Sequence, residues 1–157
     1  ESLSPASWRL LSDTPLTYAT DTFGLGAVLD LARDGADDIG GAPGATWGGA
    51  ALFGRARLHE RGRNRLYAAV RPEVYWDPDG RMFGANQTLL SATGTLDWWF
   101  SDAILSRLEY RYDNSTAPDG FFYQGSNTDP SGPGLAQQQH TIFFALTGTF
   151  EHRFARR

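Results

Sequence analysis

The chain has 157 residues, 41% hydrophobic, 20% charged and 13% aromatic, with 18 Gly and a formal net charge of -4. It contains no Cys, which excludes a disulfide framework, thiolate metal sites and cysteine catalysis. All its basic residues are Arg, and the acidic balance argues against nucleic acid as the main partner.

No apolar run approaches the roughly eighteen residues of a membrane helix, whereas a membrane strand needs apolar residues only at every second position. The opening Glu1-Ser2-Leu3 is neither an initiator Met nor a secretory signal, so the chain is expected to begin inside a processed precursor or a longer barrel. Residues 1–15 read as an N-terminal segment, the end of a preceding strand, with a turn at Asp13-Thr14-Pro15. A first long strand is predicted over 16–32, with Phe23, Leu25, Ala27, Leu29 and Leu31 on one face and Gly24, Gly26, Val28 and Asp30 on the other. Residues 33–45, rich in Gly and Asp, form a loop.

The second strand, 46–60, carries Ala50, Leu52, Gly54, Ala56 and Leu58 outward against Phe53, Arg55, Arg57 and His59, and Arg61-Gly62-Arg63-Asn64 joins it tightly to the third. That third strand, 65–76, sets Leu66, Ala68, Val70, Pro72, Val74 and Trp76 against Arg65, Tyr67, Arg71, Glu73 and Tyr75, with a lost ladder donor at Pro72. After the turn Asp77-Pro78-Asp79-Gly80 and more loop to 88, a fourth strand spans 89–99, with Asp97 on its polar side. Phe100-Ser101-Asp102 is a tight connection to a fifth strand, 103–113, with Arg107, Glu109 and Arg111 on its polar parity.

A structureless segment over 114–138 precedes a final strand at 139–154, where His140, Ile142, Phe144 and Leu146 oppose Thr141, Phe143, Ala145, Glu151 and Arg153. Its alternation far exceeds the usual five or six residues of a soluble strand. Long and short connections alternate along the chain, which is the rhythm of outer-membrane barrels. The fold expected is therefore all-β: an antiparallel up-and-down transmembrane β-barrel. Residues 16–154 supply strands and loops and 155–157 a C-terminal tail. About six strands are fewer than the eight of the smallest such barrels, so the chain is expected to be the C-terminal part of a larger one.

Arg71-Pro72-Glu73-Val74-Tyr75-Trp76-Asp77-Pro78-Asp79-Gly80, a strand running into a D-x-D-G turn, resembles a motif of the OmpL-like outer-membrane β-barrel family, the β-barrel porins of the second type. Arg107-Leu108-Glu109-Tyr110-Arg111-Tyr112-Asp113-Asn114-Ser115 resembles that family's penultimate strand, and the last strand is similar in kind. The resemblance covers roughly residues 24–154. It implies a channel in the outer membrane of Gram-negative bacteria, without enzymatic machinery; the alternation of long and short connections puts the long ones outside the cell and the C-terminus in the periplasm. Two departures stand out. Family members look longer, and Phe154 is followed by Ala155-Arg156-Arg157 where such barrels end on an aromatic residue.

The pore-lining set expected is Arg55, Arg57, Arg65, Arg71, Glu73, Asp97, Arg107, Glu109, Arg111, Glu151 and Arg153. Unpaired charges in a dry core would cost several kcal/mol each, so this parity faces water or is paired. The plainer reading is a ladder of Arg–carboxylate pairs stiffening the wall; the functional one is an Arg-biased pore. Asp77 and Asp79 fit a turn better than a Ca²⁺ loop, and His59, His140 and His152 lack ligand spacing. Trp76, Trp98, Tyr110 and Tyr112 fall outward near strand ends, where interfacial rings sit.

The function expected is passive diffusion of small hydrophilic solutes with a modest anion bias, with no enzyme activity, cofactor or metal. Expected partners are outer-membrane lipid, lipopolysaccharide, further N-terminal strands or another barrel chain, and solutes, but no nucleic acid. Two alternatives are a non-conducting barrel anchoring an outer-membrane assembly, and a soluble β-sandwich carbohydrate-binding module using Trp98 and Trp99 as a platform.

Overall fold

The computed structural model describes residues 8–35, 44–124 and 134–150. Seven long strands form one antiparallel sheet in chain order: β1 (Arg9–Ala19), β2 (Phe23–Asp34), β3 (Ala45–Arg61), β4 (Asn64–Asp77), β5 (Gln87–Ser101), β6 (Ile104–Ser115) and β9 (Gln138–Gly148). A two-stranded hairpin of β7 (Phe122–Gln124) and β8 (Gly134–Ala136) lies within the β6–β9 connection. Among the described residues the sheet is not closed into a barrel, and β1 and β9 are its edges. Among the described residues the only other sheet is the short β7–β8 pair, too small to cover it as a sandwich would require, and Trp98 and Trp99, opposite Leu66 and Arg65, stand on different faces rather than forming one platform.

The N-terminal reading needs correction. Asp13-Thr14-Pro15 is no turn but the middle of β1, and the single strand expected over 16–32 is split. The turn sits at Thr20. Its hydroxyl accepts from Phe23 N at 3.1 Å and donates to Phe23 O at 3.0 Å, and its N–H donates to Phe23 O at 2.8 Å. This side-chain closure of a short turn is what Thr can supply. The expected structureless segment over 114–138 likewise contains β7 and β8.

The remaining strands lie where alternation put them, except that the last, expected over 139–154, ends at Gly148, and 151–154 lie outside the described residues. Gly62, with a φ of 61°, occupies the first central position of the β3–β4 turn, the conformation that matches the twist of a tight hairpin. The β3–β4 partners pass from Ala51↔Glu73 to Gly54↔Val70, skipping Pro72, which has no N–H to give. A bulge between Arg57 and His59 then shifts the register, so His59 lies opposite Leu66 on the outward face and Glu60 opposite Arg65 on the inward one. His59 is thus not inward as expected.

With β1 and β2 separated, all short turns (20–22, 62–63, 102–103) lie at one end of the sheet and all long connections at the other. The outward face carries exposed Leu16, Leu25, Leu29, Leu52, Val70, Leu90, Leu96, Leu108, Ile142, Phe144 and Leu146. Its charged residues among the described strands are Arg33, opposite Leu10 at the long-loop rim, and Arg61, opposite Asn64 at the short-turn rim. Aromatic contacts flank that apolar band. Trp98 stacks on Phe100 at 4.9 Å and Tyr18 meets Phe23 at 5.9 Å towards the short turns, and Tyr112 meets His140 at 5.1 Å towards the long loops.

Candidate functional site

Successive cross-strand rows build the inward face. From the long-loop side these are Glu73, Ser91 and Asp113; Arg71, Thr93 and Arg111; Arg55, Ala69, Thr95 and Glu109; Arg57, Tyr67, Asp97 and Arg107; and Glu60, Arg65, Trp99 and Leu105. Directly opposed residues share a face, which brings charges from three or four strands within reach of one another. A hollow of about 600 Å³ on this face is lined in part by Phe53, Arg55, Arg71, Thr93, Asp97 and Arg107.

Most of the expected arginines are paired. Arg107 makes a two-pronged contact with Asp97, Nε to Oδ1 at 2.7 Å and Nη2 to Oδ2 at 3.0 Å. The guanidinium plane matches the carboxylate and fixes both orientations. Arg111 is shared: its Nε donates to Asp113 Oδ1 at 2.8 Å, its Nη1 to Glu73 Oε2 at 3.3 Å and its Nη2 to Ser91 Oγ at 3.1 Å. Arg71 Nε lies 3.1 Å from the same Glu73 oxygen, an ion pair without hydrogen-bond alignment. Arg65 reaches Asp102 at 2.9 Å, and Arg57 reaches Glu60 at 2.8 Å.

Arg55 differs. Its guanidinium lies over the Tyr67 ring, 3.8 Å from the centroid, and among the described residues no carboxylate pairs with it. Glu109 accepts a hydrogen bond from Thr95 Oγ1 at 3.1 Å. Glu151 and Arg153, like His152, lie outside the described residues.

Sequence reasoning missed several members of this face. Asp13, Asp30, Asp34, Glu60 and Asp77 also stand on inward positions, so among the described strands seven arginines meet nine carboxylates there. Asp30 already had the right parity. Asp13 was hidden by the turn-like Asp13-Thr14-Pro15, and Glu60 by the bulge.

At the long-loop rim Asp77 and Asp79 hold backbone amides. Asp77 is fully buried and accepts from the N–H groups of Arg81 and Met82 at 2.8 Å and of Phe83 at 3.1 Å. Gly80, with a φ of 66°, makes the reversal that brings those amides round. Asp79 accepts from Thr46 N at 2.7 Å. Both carboxylates therefore serve a turn, and among the described residues no cluster of three or more His, Asp or Glu is placed to hold a metal.

Asp34 lies one residue beyond Arg33, past the apolar band, and accepts from Arg9 at 2.6 Å and 2.9 Å and from Arg81 at 2.7 Å. The hydrogen bond from Arg9 lowers its pKa most; burial opposes this and Arg81 adds to it, leaving the value at about 2. Nearby, Ser115 Oγ donates to Gln87 Oε1 at 2.7 Å and accepts from Ala117 N at 3.0 Å. Phe83 packs edge-on against Tyr75 at 5.2 Å and against Phe121 at 5.1 Å.

No curated protein and no solved structure matches the chain. Residues 2–150 match the family model described as "Putative beta-barrel porin-2, OmpL-like". That span includes every strand above, and the family is one of porins rather than of enzymes. With an all-antiparallel sheet that is apolar outward and charged inward, and a family match over nearly its whole length, the chain belongs to the OmpL-like β-barrel porin family.

Proposed function

We propose that the chain forms part of the wall of an outer-membrane channel through which small hydrophilic solutes diffuse passively. Family membership supports the outer-membrane location. The observation that carries the reading is the segregation of charge: the outward strand positions bear arginine only at the two rims, while the inward positions bear seven arginines and nine carboxylates among the described residues. A face bare of charge suits hydrocarbon, and a charged face suits a wet lumen. The short turns then lie in the periplasm and the long connections outside the cell. Lipid and lipopolysaccharide cover the outward face, and further strands complete the wall.

The arginines were expected to favour anions, but their pairing leaves little free positive field. Any anion bias therefore centres on Arg55. Planar-bilayer recordings test this. Discrete conductance steps are expected, with an anion-to-cation permeability ratio that falls in Arg55→Gln. Correctly folded protein that never conducts would defeat the channel reading. A structural, non-conducting barrel is favoured by one observation, the packing of Phe83 between Tyr75, on the inward face, and Phe121 at the long-loop end. In that case conductance would appear only after Phe83→Gly and Phe121→Gly.

A further inference from the structure

β1 and β9 both run from the long-loop end to the short-turn end, because they are the first and last of seven strands that alternate in direction. The two free edges therefore point the same way. Terminal hydrogen bonds reveal which amides each edge presents. On the β1–β2 register Gly35 N donates to Trp8 O at 2.9 Å and Thr20 N to Phe23 O at 2.8 Å, so even-numbered residues of β1 bond to β2. Arg9, Leu11, Asp13, Thr17 and Ala19 turn their N–H groups to the free edge, and Pro15 leaves a gap among them.

On the β6–β9 register Ser115 N donates to Gln137 O at 2.7 Å and Thr149 N to Ala103 O at 2.8 Å, which commits the odd-numbered residues of β9 to β6. His140, Ile142, Phe144, Leu146 and Gly148 then present an uninterrupted row of donors, with side chains of Ile142 and Phe144 75% and 66% exposed.

Resting on the channel reading, we propose that an odd number of further membrane strands joins the β9 edge to the β1 edge, antiparallel to both, and that β1 forms the weaker seam. Free strand edges cannot persist in hydrocarbon, where no water satisfies their amides. If β9 closed directly on β1, of this sheet or of a second copy in the same membrane orientation, the pairing would be parallel. An odd insertion restores antiparallel pairing at both edges and gives the even total found in single-chain bacterial barrels. The missing donor at Pro15 weakens the β1 side, since proline is tolerated where its nitrogen faces a strand's open edge.

Charge specifies the strand that meets β1. Asp13 and Asp30 are directly opposed on the inward face, and among the described residues neither has an ion-pair partner, Arg9 being held by Asp34. The incoming strand is apolar outward and carries an inward Arg or Lys level with Asp13, since like charges directly opposed destabilise a sheet unless a cation joins them.

NMR on the folded protein, isolated from its membrane with whatever chains accompany it, tests this. Thr141, Phe143 and Ala145 point their Hα atoms to the free edge of β9. Close Hα–Hα contacts from them to a strand other than β1 are expected, as are contacts from Ser12, Thr14 and Leu16 to a strand other than β9. Direct β9–β1 contacts without Hα–Hα proximity, within one copy or between differently labelled copies, would overturn the proposal while leaving the channel reading intact. A protein fully soluble and monodisperse without detergent would instead remove the channel reading. Amide exchange tests the seam: the edge amides of Thr17 and Ala19 should exchange at least tenfold faster than those of Ile142 and Phe144, and the reverse order would overturn that assignment.

Discussion

At the long-loop end of the sheet Asp77 is 0% exposed and holds three backbone amides, and Asp34 holds two guanidinium groups. At the short-turn end the side chain of Asp102 is 62% exposed and holds Arg63 and Arg65 from the surface. Both ends use aspartate, but only one uses it as scaffolding. Carboxylate hydrogen bonds gain strength as water is excluded, whereas exposed ion pairs are screened and bring side-chain entropy costs. Long loops need such internal fixing, and two-residue turns do not.

Removing Asp77 should break the contrast most strongly. Asp77→Ala strands the N–H groups of Arg81, Met82 and Phe83 in a buried site, and a loss of about 3 kcal/mol is expected from unsatisfied amides that had a charged acceptor. Unfolding in urea from detergent or lipid measures it, and Asp77→Asn, which keeps one acceptor oxygen, should lose less. A neutral Asp77→Ala would mean the turn stands without its carboxylate.

Acid should expose the second scaffold. The folded pKa of Asp34, about 2, is below the ordinary carboxylate value of about 3.9, so its pairing stabilises the fold above about pH 4 and is lost as pH falls towards 2. Arg9→Gln removes the largest cause of that depression and should move acid unfolding, followed by tryptophan fluorescence, to higher pH. An unchanged acid midpoint would count against the pairing. The smallest effect belongs to the other end: Asp102→Asn should change stability by no more than about 0.5 kcal/mol, as is usual for exposed ion pairs. A loss comparable to that of Asp77→Ala would erase the difference between the ends.

Reading parity along the chain was enough to find β3 to β6 and to place Arg55, Arg71, Glu73, Asp97, Arg107 and Arg111 on one face. Where it failed, a local signal competed with a longer-range one. Asp13-Thr14-Pro15 carries the chemistry of a turn, yet a strand at the sheet margin tolerates proline where its nitrogen has no partner. His59 and Glu60 changed sides because of a bulge that no alternation pattern announces. Pairings such as Arg111 with Glu73 across β5 depend on register between three strands, which a linear pattern does not encode. The role of Asp77 was only half legible, since Asp-Pro-Asp-Gly implies a turn but not which carboxylate turns inward to hold it.

The small hairpin inside the β6–β9 connection bears on how the last strand arrives. Every other pairing in the sheet joins strands separated by no more than ten residues of chain (35–44), so each closes a shorter loop than β9 does. β9 must search from the far end of the longest connection. Pairing Phe122 with Ala136 and Gln124 with Gly134 pinches that connection shut, and each halving of effective loop length saves about 0.6 kcal/mol of closure entropy. The hairpin thus works as a tether, and loosening it should slow the docking of β9 before it alters anything in the finished wall.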